Sequence, residues 1–452
     1  MHSRMTEMAA RTSLKPYVGI VGAVTTVVVG LVAQPKPADR LVFEETGRLH
    51  GVPSPAPERV TKLESLPKQF TAGEYSPDYA RRLLVSSMAG SIAVADFDGD
   101  GYPDLDVVVP GGSNHLLRNN GDGTFRDVTA RAKVSGPGNS LSATFSDYDR
   151  SGRPSLFVAS AGGVVVYHNN GDGTFSDVTQ KAGLASRAGE LHTSVVLDDV
   201  DNDGCPDLFV STYTDLNRLP AKTTFTFPND FAGAVSRLYR NDCNGAFTDV
   251  TAAAGLAENP GRARNAVFAD FNNDRHPDLL ILRDDKPPAL YVNRGNGSFK
   301  DVTWAAGEAF TSHAFFDAIV TDFDRDGKLD VALWSTMSFR VLLNRGNATF
   351  ERATSLPLIP PMASPFGFHG AVADLDGDGF PDVLTVDNKA QLRGFLNHAG
   401  TFREVSLTLP PEFESDYLSP LRFKGFRGVQ LLAVHSGGRI ALLGLKGDGT
   451  GR

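Results

Sequence analysis

The stretch that decides the fold is Asp96-Phe97-Asp98-Gly99-Asp100-Gly101-Tyr102-Pro103-Asp104, because recognisable copies of it recur along the rest of the chain. Carboxylates at the first, third, fifth and ninth positions of a tight loop are what a hard cation with six or more oxygen ligands requires. Close copies put the same donor set at Asp199, Asp201, Asp203 and Asp207; at Asp270, Asn272, Asp274 and Asp278; at Asp322, Asp324, Asp326 and Asp330; and at Asp374, Asp376, Asp378 and Asp382. A further copy begins at Asp147 and Asp149 but carries Ser151 and Ser155 at its fifth and ninth positions. The expectation is calcium in five loops, with the loop at Asp147 empty. Asn272 offers a neutral oxygen and Arg275 replaces a glycine, so the Asp270 copy is expected to bind more weakly.

An EF-hand needs a bidentate Glu at the twelfth position and a helix on either side. Here the twelfth residues are Val107, Val210, Ile281, Leu333 and Thr385. The flanks, such as Ser91-Ile-Ala-Val-Ala95 and Leu105-Asp-Val-Val-Val109, are short, β-branched and apolar, as strands are. Each loop therefore joins two strands.

The first Asp of each copy falls at 96, 147, 199, 270, 322 and 374, giving intervals of 51, 52, 71, 52 and 52 residues. The long interval holds an insertion of about 20 residues near 214–235, with Tyr213, Phe225, Phe227 and Phe231 as candidates either for a partner contact or for covering their own unit. A fixed period of this size indicates stacked or radially arranged units. A second signature follows each loop: Asn119-Asn-Gly-Asp-Gly-Thr-Phe125, then copies starting at Asn169, Asn241, Asn293, Asn344 and Asn397. Asn, Asp and Gly tolerate positive φ, so these read as hairpin turns, and the Asp-Val-Thr beginning at Asp127, Asp177, Asp249 and Asp301 is expected to open the next strand.

Each unit thus reads as one four-stranded blade, and the fold class as an all-β, seven-bladed β-propeller. The last unit, Ser419 to Thr450, has three strands and lacks a fourth. Residues 41–47, within the segment 41–52, are expected to supply it and close the ring, with 53–89 as a linker to the first inner strand. The whole of 41–452 is then one propeller.

Composition narrows the function. The net charge is -9, and much of that charge sits in the proposed loops, which five divalent ions (about +10) would roughly neutralise. The acidity therefore speaks for bound metal, and the missing Lys/Arg clusters speak against nucleic acid. Residues 18–33 form an uncharged apolar run preceded by Arg4, Arg11 and Lys15, the pattern of an export signal or an uncleaved anchor, with 34–40 as a tether. The two cysteines, Cys205 and Cys243, lie in one unit at connections expected to share an edge, so a disulfide is expected, which an exported protein can keep; two free thiols are the alternative.

At these motifs the sequence resembles the FG-GAP/VCBS repeat family, which includes integrin α-subunit propellers and a cartilage-acidic-protein-like group of exported repeat proteins. The resemblance covers about residues 41–450. It implies a seven-bladed propeller with calcium between the first two strands of a blade, and roles in adhesion or extracellular recognition. Neither a carboxy-terminal module nor an EGF-like unit is found.

A candidate ligand site is a polar ring five residues before each loop: Ser91, Ser142, Ser194, Asn265, Asp317 and His369, read against the simpler alternative that inner strands solvate a wet channel. No nucleophile-elbow, zinc-protease, Cys-x-x-Cys or phosphate-loop motif occurs. The reading is an exported, calcium-stabilised, non-catalytic binding or adhesion module whose partner is a protein or glycan at the cell surface or outside the cell. The competing readings are an extracytoplasmic enzyme, carbohydrate-active and built on the tunnel-mouth residues, and a structural subunit of an envelope assembly.

Overall fold

The computed structural model describes residues 40–48, 70–71 and 90–353 with short gaps, then 370–386, 392–408, 417–421, 430–434 and 440–445, besides Leu356 and scattered positions from 80 to 88. The apolar run at 18–33, the tether up to residue 39 and most of the linker lie outside the described residues.

Six blades repeat one up-and-down order, in which the ninth residue of the acidic loop opens the second strand; in blades 1 to 5 the Asn of the second signature closes the third strand and the Phe opens the fourth, and in blade 6 the same two residues lie one position inside those strand ends. In blade 1 the strands are Ile92–Ala95, Asp104–Val107, His115–Asn119 and Phe125–Asp127. Blade 2 uses Ser140–Ser146, Ser155–Ser160, Gly163–Asn169 and Phe175–Asp177. Blade 3 has Glu190–Asp198, Asp207–Asp215, Arg237–Asn241 and Phe247–Asp249. Blades 4 and 5 run from Ala263 to Asp301 and from Asp317 to Arg352 in the same way. Blade 6 comprises Ala371–Ala373, Asp382–Val386, Leu392–His398 and Thr401–Thr408.

Alternation within strands sends apolar side chains to both faces of a blade, where they pack against the neighbouring blades. Phe157, Val166, Val195 and Phe247 belong to one such layer between blades 2 and 3, and Val267, Leu280, Leu333 and Phe350 to another between blades 4 and 5.

Two expectations are corrected. The ring has six blades rather than seven. Tyr417–Leu421, Gln430–Val434 and Ile440–Leu445 do not form a separate sheet: Arg40–Arg48 pairs in parallel with the outer strand of blade 6 (Arg40 opposite Ser406) and antiparallel with Ile440–Leu445 (Phe43 opposite Leu445), fusing everything into one eight-stranded sheet. The amino-terminal strand therefore lies in the middle of a sheet. The second correction concerns Asp-Val-Thr, which ends a strand rather than opening one. Asp127 closes the fourth strand and its Oδ1 accepts the Thr129 N–H at 2.9 Å, while the Thr129 hydroxyl accepts Leu116 N–H at 2.8 Å. Thr179, Thr251 and Thr303 repeat the hydroxyl contact on the third strands of their own blades.

The insertion and the linker meet. Thr224–Phe225 pairs with Phe70–Thr71, and Tyr213, Leu216 and Phe231 pack with Ala80, Leu84, Val85 and Met88 over Leu141 and Leu191. Tyr213 and Phe231 are thus core residues of this cap, which settles the choice for them in favour of covering; the side chains of Phe225 and Phe227 lie outside the described residues.

Candidate metal loops and the joints beneath them

Each acidic loop is held first by its own carboxylates. The Oδ2 of the first Asp accepts the N–H of the sixth residue: Asp96 from Gly101 at 2.8 Å, Asp199 from Gly204 at 2.8 Å, Asp270 from Arg275 at 2.8 Å, Asp322 from Gly327 at 2.9 Å and Asp374 from Gly379 at 3.1 Å. The fifth carboxylate caps the seventh N–H, as Asp100 does for Tyr102 at 2.9 Å. These bonds fold the loop so that its acidic oxygens converge.

The result is four clusters. Asp96, Asp98 and Asp104 bring one oxygen each within 4.8 Å of one another, as do Asp322 with Asp324 and Asp330, and Asp374 with Asp376 and Asp382; in the third loop the trio is Asp199, Asp201 and Asp203. In the Asp270 loop, Asn272 turns its Nδ2 to Asp274 Oδ2 at 2.9 Å and accepts Asp274 N–H on Oδ1 at 3.0 Å. The loop at Asp147 keeps its shape through Gly152 N–H to Asp147 Oδ2 at 3.0 Å and Ser151 N–H to Asp149 Oδ1 at 3.2 Å.

The ninth carboxylate has a second role. Asp330 is fully buried, its Oδ2 accepting Phe323 N–H at 2.7 Å and its Oδ1 accepting Asn344 N–H at 2.7 Å. Asp104, Asp207, Asp278 and Asp382 repeat both bonds. Burial pushes Asp104, Asp207, Asp278 and Asp330 up to about 7 despite those donors, and nearby loop carboxylates push the same way. Asp382 is likewise raised well above the usual carboxylate range by burial. A nearby cation would favour the charged form of each. In the loop at Asp147, the Ser155 hydroxyl accepts Asn169 N–H at 3.0 Å and replaces half of this arrangement.

The residue that sequence reasoning missed is the first Asn of the second signature. It is no mere turn former. Asn344 Nδ2 donates to Leu329 O of its own loop at 3.0 Å and to Phe271 O at the second position of the preceding blade's loop at 2.8 Å. Asn169 reaches Phe97 O at 2.8 Å, Asn241 Tyr148 O at 2.7 Å, Asn293 Val200 O at 2.8 Å and Asn397 Phe323 O at 2.8 Å. Every blade-to-blade joint from blade 1 to blade 6 thus carries one buried Asn. The ring of the second-position residue packs there too, with Phe97 on Phe175 and Phe323 on Phe402. The available signal was that Asn alone holds this position in six units, whereas turn chemistry would tolerate Asp or Gly.

The inner polar positions are buried, and two of the bonds they make join neighbouring blades. Ser91 Oγ accepts Ala143 N–H at 3.1 Å, Asn265 Nδ2 donates to Asp317 Oδ1 at 2.8 Å, and Ser194 bonds Ser211 at 2.8 Å within its own blade. Ser142 is equally buried, and His369 lies outside the described residues. Cys205 and Cys243 form a disulfide with Cα atoms 5.6 Å apart, joining the seventh residue of the third loop to the turn of the same blade. Among the described residues no helix is long and apolar enough to cross a membrane.

Comparison with known proteins places this geometry. A model of the FG-GAP-like repeat matches residues 96–158, 147–210, 229–281, 270–333 and 322–385. Cartilage acidic protein 1 of Mus musculus is 30% identical over 158 residues, 32% of this chain and 24% of that protein, and the Xenopus tropicalis protein is 24% identical over 344 residues, 68% of this chain and 50% of that protein. The chain therefore spans between about a quarter and a half of these relatives. Among solved structures, an Agrocybe aegerita lectin specific for non-reducing terminal N-acetylglucosamine is similar with a TM-score of 0.45 and 20% identity, over 71% of this chain and 81% of the lectin. Sqt1 of Saccharomyces cerevisiae has a TM-score of 0.46 and 11% identity, over 80% of this chain and 97% of its own. The repeat matches cover more than half of the sequence, and the chain belongs to the FG-GAP-like repeat family.

Proposed function

We propose that the protein is an exported, calcium-stabilised propeller that works as a non-catalytic binding module. The observation that carries the metal reading is the convergence of three carboxylate oxygens within 4.8 Å in four separate loops of one register. The donor set is all oxygen and hard, which suits calcium over softer ions. The ligands would be Asp96, Asp98, Asp100 and Asp104 and their counterparts at 199–207, 270–278, 322–330 and 374–382. The charge of a bound ion would offset the carboxylates there. A structural role is favoured, because each loop sits directly on the Asn joint between two blades. Melting the full chain in calcium and in EGTA tests it: calcium should raise Tm, and identical melts would refute the metal assignment.

Export is supported by the apolar run at 18–33. The likeness to cartilage acidic protein 1 is consistent with a binding module, and the partner we propose for it is a surface protein or glycan. The inner polar positions are buried and several are bonded to one another or to backbone, which weakens a catalytic use of them. Capture from an extracellular extract on the immobilised full chain, with elution by EGTA, tests recognition; a folded protein that retains nothing specific would count against it. We also propose that pairing of Arg40–Arg48 with Ile440–Leu445 closes the ring. Deletion of 40–48 should then lower Tm by several degrees, and an unchanged melt would remove the strand from that role.

A further inference from the structure

In blades 1 to 5 the seventh residue of the loop faces the third residue of the turn in its own blade. A Cβ built on Gly121 would lie 2.7 Å from the Tyr102 ring, on Gly171 2.9 Å from Arg153, and on Gly295 2.7 Å from His276. In blade 3 this pair is Cys205 and Cys243, and the contact is covalent. Cys243 holds φ at +57°, where blades 1, 2, 4 and 5 place glycines, such as Gly121 at +78° and Gly295 at +78°, and blade 6 places Ala399 at +50°. A side chain in that region costs about 1 kcal/mol, so the cysteine is kept there against a local penalty.

The same blade treats its fifth carboxylate differently. Elsewhere the outer oxygen of that residue is taken by a donor side chain: Arg118 on Asp100 at 2.7 Å, Lys328 on Asp326, His398 near Asp378 at 3.2 Å and Asn272 on Asp274 at 2.9 Å. Arg240, which stands where Arg118 stands in blade 1, bonds Asp242 instead at 3.0 Å. Asp203 Oδ2 faces the disulfide, with Cys243 Sγ 3.6 Å away, and among the described residues it has no cationic or amide partner. The third loop is also the one in which the fifth carboxylate joins the cluster in place of the ninth.

We infer that the Cys205–Cys243 disulfide makes the third loop the tightest cation site of the chain, and that thiol–disulfide exchange sets its affinity. The disulfide fills the place of a competing cation with an uncharged group and pins the turn, so Asp203 is left to a bound ion. A dithiol that closes to its own disulfide supplies the two electrons and two protons that convert the S–S bond to two thiols; the turn is then released and Asp203 loses its support. This inference rests on the calcium reading.

The test is calorimetric titration of the full chain with calcium, first oxidised, then reduced by a dithiol, then as the Cys205→Ser, Cys243→Gly variant, in which glycine suits the turn. The tightest binding step should weaken by about 10- to 100-fold in both thiol-modified forms while the other steps stay, the range seen when outer-shell support of a metal site is removed. Asp203→Asn, with the disulfide intact, should lose the same step, which decides the matter even if the cysteine variant fails to fold. Unchanged steps on reduction, or a tightest step indifferent to Asp203→Asn, would overturn the inference and leave calcium binding standing. No binding heat in any form would overturn both.

Discussion

Blades 2 and 5 carry the same frame with and without the acidic donors. In blade 5, Asp330 receives Phe323 N–H and Asn344 N–H, and Asp322, Asp324 and Asp330 converge. In blade 2, Ser155 still receives Asn169 N–H, and Asn169 still reaches across to blade 1, yet among the described residues no trio of carboxylates gathers. The joint between blades is therefore separable from the acidic cluster above it. The motif encodes two things at once: a buried polar rivet and a surface cluster of carboxylates, the proposed cation site.

The largest effect is expected where both functions meet. Asp330→Ala strands two buried N–H groups, at about 1–3 kcal/mol each, so it should cost about 4 kcal/mol and abolish one cation site, read by denaturant melts and calcium titration. Asp330→Ser, copying blade 2, should recover about half of that stability and none of the binding. If serine restores nothing, the two functions are not separable. Asn344→Ala should cost about 3 kcal/mol by orphaning Phe271 O and Leu329 O, and Asn169→Ala about as much, even in EGTA. A much milder loss at Asn169 would tie the joint to the metal after all.

Blade 1 offers a smaller contrast. Asp106 is buried at a position where blades 2 to 5 have Phe157, Phe209, Leu280 and Ala332; burial pushes it up to about 8, and its Oδ1 has no partner among the described residues. Asp106→Leu should stabilise by about 1–2 kcal/mol in urea unfolding at neutral pH, where the carboxyl is mostly protonated, as replacing a poorly satisfied buried polar group by an apolar one can do. The smallest effect belongs to His192, buried beside Thr212 and Glu190 and lowered to about 3 by burial and by Arg237 and Arg187. Its folded pKa lies below the unfolded 6.5, so the unfolded chain binds the extra proton between about pH 3 and 6.5. Stability should therefore decline as the pH is lowered from about 6.5 towards 3, and His192→Asn should flatten that decline. A slope unchanged by that substitution would assign the acid sensitivity to the loops.

Most of the fold was legible because its determinants repeat. Period, loop register, hairpin residues and the cysteine pair all follow from local spacing. The blade count was not legible, since whether three last strands stand alone or fuse through Arg40–Val42 to the edge of blade 6 depends on long-range pairing that no local pattern encodes. The Asn joints were hidden for a different reason: Asn is so common in turns that its identity carried no surprise, although its amide is spent on a carbonyl about 70 residues away, as with Asn169 and Phe97. The inner polar residues looked like a site because alternation places them inward, but blade-to-blade bonds use Ser91, Asn265 and Asp317.

The most direct test of the central claim is to count bound calcium at equilibrium, in the natural chain and in a Ser151→Asp, Ser155→Asp variant that completes the loop at Asp147. The account predicts about five ions per chain, weakest at Asp270, and one more in the variant. No bound calcium in either protein, or a variant that gains none, would contradict the assignment of these loops as cation sites.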